Sequence, residues 1–227
     1  PEAFDSPSVS EVRTVMMGDI VQTNDARVTL RVVVNSPTPI ERVQVRNGRD
    51  AIATFRGYDA RCLGDRIRVI WSGAEYRGRG RNVNWNGRAV FEGAKIERLS
   101  KINAWNHERL LEVQGDNTVA FEAITTGNFG GFDAWLSGRA DGNLNLETDQ
   151  GALRIPLLDI GREDIVEDCG GLKKELKVFR LPNEIKEREM KIELAIDLRP
   201  SGDNPLWVCV TTEDGFQAWS SPIFVVE

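Results

Sequence analysis

Hydrophobic and polar residues alternate along most of this sequence, which is the pattern of half-buried β-strands. Three stretches show the alternation most clearly: RVTLRVVVN at 27–35, DRIRVIW at 65–71 and MKIELAIDL at 190–198. Successive side chains of a strand point to opposite faces, so each stretch predicts a strand with one apolar face.

Short apolar segments of this kind continue to the C-terminus and are separated by turn residues. Asn47-Gly48 and Asp214-Gly215 are typical of tight hairpins. Helix-like spacing occurs in only three short segments, which are SVSEV at 8–12, REDIVED at 162–168 and PNEIKERE at 182–189. The first of these has a capping box and predicts a short helix ending before Gly18, with an extended conformation as the alternative.

Many short strands and few helices predict an all-β fold of antiparallel sandwiches with few short helices. No repeat of fixed period is visible, which disfavours a propeller or a solenoid. The chain has 227 residues, of which 41% are hydrophobic and 28% are charged, as in soluble globular proteins. No apolar run approaches the length of a transmembrane helix, so we predict no membrane partner.

Charge is unevenly distributed along the chain. The window 61–98 contains nine basic and four acidic residues, whereas the whole chain has a net charge of −6. An acidic body repels polyphosphate, so we predict no nucleic-acid partner. Three cysteines without a C-x-x-C motif argue against a disulfide framework, although one pair stays open, and Cys209 is expected to be a buried thiol. The cellular compartment stays open.

The stretch WSGAEYRGRGRNVNWNG, at 71–87, contains the most conspicuous candidate site. If it is a strand, its three alternating arginines project from one face, where they could bind phosphate or carboxylate or could pair with local acidic residues. The candidate ligand-binding residues are therefore Tyr76, Arg77, Arg79, Arg81 and Trp85. The ordinary interpretation, solvated or locally paired arginines, is the more common one for such residues.

The six tryptophans are either core residues or a platform on which sugars stack. Trp85 and Trp105 lie among asparagines and are the better candidates for exposure, whereas Trp71, Trp135 and Trp207 lie in strand-like runs. The usual catalytic motifs are missing. His107 is the only histidine, so a metal centre with several imidazole ligands cannot form, and we predict no catalytic residue, no bound metal and no cofactor for this chain.

Five stretches together resemble a known family. They are MMGDIV at 16–21, PIERVQVRNG at 39–48, the arginine-containing stretch at 71–87, TTGNFGGFDAWL at 125–136 and EDGFQAWSSPIFV at 213–225. The sequence resembles the C-terminal region of a large bacterial family of uncharacterised proteins. In that family an N-terminal metallohydrolase domain of the PHP type (polymerase and histidinol phosphatase) precedes a β-sandwich region.

The resemblance implies a non-catalytic accessory region of a metal-dependent hydrolase, with the metal ligands in an upstream domain of the same polypeptide. The chain begins at Pro1, so we expect an upstream part that was cleaved or lies outside this sequence. The resemblance also suggests a topology: an N-terminal segment at 1–17, an immunoglobulin-like sandwich formed by 18–71 plus 201–227, and an inserted β-rich subdomain at 72–200. The arginine stretch would then organise the junction or face the hydrolase domain.

Two alternatives stay open. The first is a carbohydrate-binding module that uses an exposed tryptophan. The second is a stand-alone hydrolase that uses carboxylates and arginines. A small anionic or sugar ligand is the candidate small-molecule partner.

Overall fold

The computed structural model describes residues 11–104, 108–137 and 141–226. It contains twenty strands: β1 (Ile20–Gln22), β2 (Arg27–Asn35), β3 (Ile40–Asn47), β4 (Asp50–Phe55), β5 (Arg66–Ala74), β6 (Val83–Asn84), β7 (Gly87–Phe91), β8 (Lys95–Ile102), β9 (Leu111–Gln114), β10 (Thr118–Phe121), β11 (Ile124–Thr125), β12 (Phe129–Ser137), β13 (Asn143–Thr148), β14 (Ala152–Pro156), β15 (Ile165–Asp168), β16 (Leu172–Leu181), β17 (Glu189–Asp197), β18 (Asn204–Thr212), β19 (Gln217–Trp219) and β20 (Ile223–Val226). Two 3₁₀ turns lie at Ala60–Cys62 and Leu157–Asp159. The predicted all-β class is confirmed.

The first sandwich is formed by the two ends of the chain. Its larger sheet has the order β1-β20-β18-β3-β4, and β19 also pairs with β18. The β1–β20 pair is parallel, and the other neighbours in this sheet are antiparallel. The β2–β17 pair covers the inner face of this sheet, and Ile40, Val43, Ile192 and Val208 form part of the shared core.

The second sandwich is formed by the middle of the chain. Its two five-stranded sheets have the orders β15-β16-β5-β12-β8 and β14-β13-β7-β10-β9, and the short β6–β11 pair lies beside them. A single apolar cluster fills the space between the sheets, with Val69, Phe132 and Leu176 from one sheet against Phe91 and Leu144 from the other. The chain therefore leaves the first sandwich after β4 and returns to it at β17.

Two strands lie in a different sandwich from the one that the predicted bounds imply. β5, placed by those bounds in the first sandwich, pairs with β12 and β16 of the second. β17, placed in the insertion, pairs along its whole length with β2 of the first sandwich. Its alternating apolar residues complete the core above the larger sheet, which β2 alone would leave open. The domain boundaries and the immunoglobulin-like relationship stay predictions.

The helix predictions are wrong wherever the structure describes them. Residues 11–17 are not helical, and the rest of the predicted N-terminal helix lies outside the described residues. The REDIVED segment contains β15, because Ile165 joins the core of the second sandwich as β15 pairs with β16. The PNEIKERE segment runs as an irregular connection into β17 and buries Ile185. In the second and third segments tertiary packing outweighs a weak local preference.

Both predicted hairpin turns are confirmed. Asn47 lies opposite Asp50 in the β3–β4 hairpin, and Gly48 between them has a φ of 60°. Gly215, between β18 and β19, has a φ of 92°. These positive values are accessible to glycine at little cost, which explains why the turn residues identified the hairpins.

Candidate functional site

The predicted arginine stretch is a loop rather than a strand. Residues 76–81 bend away between β5 and β6, and the loop closes where the Glu75 amide donates to the carbonyl of Arg81. Gly78, Gly80 and Arg81 have φ values of 105°, 81° and 50°, which a strand cannot adopt. The expectation of three guanidinium groups projecting from one face of a strand is therefore wrong.

The side chains of this loop are nevertheless accessible. Arg77, Arg79 and Arg81 are exposed, and Tyr76 is 64% exposed. None of the three arginines forms an ion pair with the residues that the structure describes. Their role as ligand-binding residues stays a prediction.

Trp85 was expected to be exposed to solvent, but it is buried. Its side chain is 0% exposed in the core of the second sandwich, and its Nε1 donates to Thr125 Oγ1 at 2.8 Å. A fully buried indole cannot stack against a sugar ring, so Trp85 does not form part of a binding surface. Trp71 is buried as expected, and Trp105 and His107 lie outside the described residues.

A buried network of arginines and carboxylates joins the two sandwiches. Its first cluster is centred on Asp133 of β12, which is 0% exposed and accepts hydrogen bonds from two arginines of the adjacent strand β5. Arg68 donates from Nε at 2.7 Å, and Arg66 donates from an Nη at 2.6 Å. The two arginines then reach the first sandwich, where Arg66 pairs with the Glu213 carboxylate and Arg68 donates to the Glu213 carbonyl at 2.6 Å.

The second cluster is centred on Asp164, which immediately precedes β15. Arg42 of β3 contacts it through both terminal nitrogens, at 2.6 and 2.9 Å, and Arg56 donates to it at 2.8 Å. Glu41, 2% exposed, pairs with the same two arginines on the side of the first sandwich. Both guanidinium groups also lie over the ring of Phe179, at 4.6 and 5.1 Å from its centroid.

These eight side chains, which we call the junction network, carry four positive and four negative formal charges. They are Glu41, Arg42, Arg56, Arg66, Arg68, Asp133, Asp164 and Glu213. Burial alone would lower the pKa of the Arg68 guanidinium, but the charge and hydrogen bonds of Asp133 outweigh that effect and raise it. Burial alone would raise the pKa of Asp164, but Arg42 and Arg56 hold it below its ordinary value. The surroundings of Arg68 and Asp164 therefore favour their ionised forms and suit a fixed contact.

A second surface lies on the outer face of the larger sheet of the first sandwich. Trp219 is 61% exposed opposite Cys209, and Phe224 is 37% exposed between Ile20 and Pro205. Pro205, Trp207 and Cys209 are alternate residues of β18 and so share this face. We call the surface formed by Ile20, Trp207, Trp219 and Phe224 the aromatic face.

The polar edge of the aromatic face is well ordered by contacts. Trp207 Nε1 donates to the carbonyl of Gly48 at 2.8 Å, and the Arg46 guanidinium lies 5.2 Å from the Trp207 ring centroid. Gln44, two residues from Arg46 on the same strand, faces Cys209 across the sheet. Exposed rings beside amide and guanidinium donors on one flat sheet face are suited to stacking against a sugar ring and hydrogen bonding to its hydroxyls.

No protein-family model, no curated protein and no solved structure matches this chain. Within residues 11–104, 108–137 and 141–226, no group of three or more His, Cys, Asp or Glu side chains is arranged to hold a metal ion. The helices found in the same residues are too short to cross a bilayer. The three thiols, Cys62, Cys169 and Cys209, are free, and Cys209 is buried as expected.

Sequence reasoning missed the junction network and the exposure of Trp219. The pairs that cross between the two sandwiches and those centred on Asp133 join residues 65 to 147 positions apart, so local pattern could not predict them. One indication was present: Asp133 stands inside the apolar run FGGFDAWL, where an unpaired carboxylate would be costly. Trp219 is followed by two serines and a proline in AWSSP, which marks the end of a strand rather than a core position.

Proposed function

We propose that this chain is a non-catalytic accessory region that holds a neighbouring metal-dependent hydrolase domain of the same polypeptide in a fixed position. The observation that carries the proposal is the junction network. Inter-domain contacts are usually polar, solvated and mobile, whereas this one contains eight paired ionisable side chains, most of them nearly inaccessible to water. The hydrolase itself is inferred from the family resemblance alone.

The physical role of the junction network is to fix the orientation of one sandwich relative to the other. Seven of the eight charges have bidentate or multiple partners, and Glu213 pairs with Arg66 alone, so sliding one sandwich over the other would leave buried charges unpaired. Buried ion pairs contribute little net stability compared with apolar contacts, but they strongly disfavour alternative arrangements. Such a connection suits a spacer whose two ends must keep one relative orientation.

The test compares the isolated chain with the full-length polypeptide. We expect the isolated chain, with Mn²⁺ or Zn²⁺ added, to hydrolyse neither p-nitrophenyl phosphate nor bis(p-nitrophenyl) phosphate. In the full-length polypeptide, Arg66→Ala should loosen the junction and lower hydrolysis, whereas Arg31→Ala, on the exposed β2, should leave it unchanged. Turnover by the isolated chain, or a full-length polypeptide without a hydrolase domain, would contradict the proposal.

A carbohydrate-binding role is the second candidate, and the aromatic face favours it. Among the tryptophans that the structure describes, Trp219 has the exposed ring that stacking on a sugar requires. Trp207 and Phe224 extend the same surface across two further strands. The residues differ from those predicted from the sequence, but the type of site is the same.

Glycan-array binding tests this candidate. Trp219→Ala should abolish any glycan binding without lowering the melting temperature, because the side chain is mostly in solvent. Tyr76→Ala, which removes an equally exposed aromatic ring from the second sandwich, is the matched control. Glycan binding that survives Trp219→Ala but is lost on Tyr76→Ala would transfer the site to the arginine loop.

A further inference from the structure

One edge of β2 is open along all nine of its residues. β2 pairs with β17 on one side, and within the part of the chain that the structure describes no strand pairs with it on the other. Proline, bulges or a short length usually protect such an edge. β2 contains no proline, and its register with β17 has no shift. By contrast, β1 has three residues and β4 has a register shift against β3.

Two backbone bonds show which groups of β2 lie at the open edge. Just beyond one end of β2, the Ser36 amide donates to the carbonyl of Arg188 at 2.9 Å. Just beyond the other end, the Leu198 amide donates to the carbonyl of Ala26 at 2.9 Å. Hydrogen-bonded pairs alternate along an antiparallel ladder, so the even-numbered residues of β2 point their N–H and C=O groups towards β17. The odd-numbered residues point these groups outward, and they are Arg27, Thr29, Arg31, Val33 and Asn35.

The core of the first sandwich is also less completely covered at β2 than at β17. On β17, Ile192 and Ile196 are 8% and 4% exposed, whereas all four inward side chains of β2 are only partly buried. Those four are Val28, Leu30, Val32 and Val34. A strand added beside β2 would therefore bury apolar surface as well as satisfy the outward backbone groups.

The outward side chains of β2 indicate the charge of a strand that fits. Arg27 and Arg31 are exposed, and each donates from Nε to one carboxylate of β17. Their terminal nitrogens form no hydrogen bond with the described residues. Neighbouring side chains on one face of a sheet interact across adjacent strands, so carboxylates on an added strand could accept from these nitrogens.

A second copy of the chain suits this edge poorly. Pairing two β2 edges about a two-fold axis would bring two basic rows together, and like charges on adjacent strands are destabilising. Pairing β2 with β17 of another copy would match the charges, but it is a head-to-tail contact that does not close into a dimer.

We propose that the open edge of β2 binds an extended segment of a partner polypeptide in which apolar and acidic residues alternate. The backbone of the segment pairs with the odd-numbered residues of β2, and its apolar side chains extend the inner row. Its carboxylates bind Arg27 and Arg31. This surface is separate from the junction network and the aromatic face, and the proposal does not depend on the accessory role.

A synthetic peptide with the length of β2, blocked ends and alternating valine and glutamate tests the proposal. Hydrogen exchange in ¹H–¹⁵N spectra locates its binding. The amides of Thr29, Arg31 and Val33 should exchange at least about tenfold more slowly in the complex, because they gain acceptors. The amides of the even-numbered residues already bond to β17 and should change little. The same peptide with lysine in place of glutamate should bind at least about tenfold more weakly, because it brings positive charge to a basic row.

Arg27→Gln/Arg31→Gln should weaken binding of the glutamate peptide at least about tenfold, since the charge-assisted bonds are lost. Arg88→Gln/Arg154→Gln is the matched control, because it removes two similarly exposed, paired arginines from the second sandwich, and it should leave binding unchanged.

Val33→Pro provides an independent variant, because it removes one outward N–H and leaves the bonds to β17 in place. It should abolish peptide binding. Outward amides that stay unprotected at millimolar glutamate peptide, or equal binding of the lysine peptide, would overturn the proposal. A dimer formed through β2, detected by sedimentation and lost in Val33→Pro, would also overturn it.

Discussion

The junction network and the β2–β17 ladder contain the same kind of pair, an arginine facing a carboxylate, in opposite surroundings. In the ladder, Arg27 pairs with Asp197 and Arg31 with Glu193, and all four side chains are 64–75% exposed. In the junction, Arg68 and Asp133 are 2% and 0% exposed. Water solvates the ladder whether or not its pairs form, whereas the junction charges are mostly shielded from water and depend on their protein partners. Burial, rather than distance, decides what each pair contributes.

The largest expected difference between the two regions is the cost of removing one carboxylate. Asp133→Ala leaves two buried guanidinium groups without their main acceptor, which should lower the free energy of unfolding by about 3–5 kcal/mol. Urea denaturation at neutral pH measures this cost. The expected loss is a substantial part of the total stability of a domain.

Glu193→Ala is the control for Asp133→Ala, because it removes an acceptor from Arg31 at 3.0 Å on the exposed ladder. Its expected cost is below about 1 kcal/mol. Similar small costs for both variants would mean that water or a rearranged partner replaces Asp133, and the contrast between the two regions would fail.

Lowering the pH should reduce stability through the junction network more than through the β2–β17 ladder. This difference is smaller than the one expected for removal of a carboxylate. The pKa of Asp164 is lowered in the folded state, since Arg42 and Arg56 outweigh the effect of burial. Its ionised form therefore stabilises the fold above the pKa of a free aspartate, about 3.9, and this contribution is lost as the pH falls through the lower folded value. Stability should decline below about pH 4 more steeply in the unmodified chain than in Asp164→Asn.

Asp197→Asn is the matched control for this pH dependence. The pKa of Asp197 is also lowered, by its hydrogen bond from Arg27, but this carboxylate is exposed and water screens the pair. Asp197→Asn should therefore change the loss of stability at low pH far less than Asp164→Asn does. Parallel denaturation curves for Asp164→Asn and the unmodified chain between pH 6 and pH 3 would show that Asp164 does not anchor the junction.

The strands were predictable because alternation is a local property. Arg27–Asn35 is β2 to the residue, and both hairpin turns lie where their sequences placed them. The same pattern could not predict that both faces of β5 are buried. An alternating strand usually has one solvent-exposed face. Arg66 and Arg68, on the polar face of β5, are instead buried where the first sandwich packs against this strand. That contact joins residues distant in sequence.

Two local patterns were misinterpreted, although the spacing of their residues is consistent with the structure that forms. In NVNWN, Val83 and Trp85 alternate with asparagines, so Trp85 points inward, and the flanking polar residues do not indicate exposure. In RGRGR, the alternation of arginine with glycine suggested a strand, but Gly78 and Gly80 adopt positive φ and form a loop. The cleft lined by Trp71, Phe121 and Gly130 at one end of the second sandwich could not be predicted at all, because its walls come from six separate strands and their connections.

The smallest expected effect is on the arginine loop, where charge reversal should leave the fold intact. Arg79 is exposed and has no ion-pair partner among the described residues, so Arg79→Glu should change the free energy of unfolding by less than about 0.5 kcal/mol. Arg66→Glu, in the same basic window, should unfold the chain, because it places a new carboxylate beside those of Asp133 and Glu213 in the buried junction. If the loop binds a phosphorylated ligand, Arg79→Glu abolishes that binding at unchanged melting temperature. A large loss of stability would instead assign the loop a structural role, which its exposure argues against.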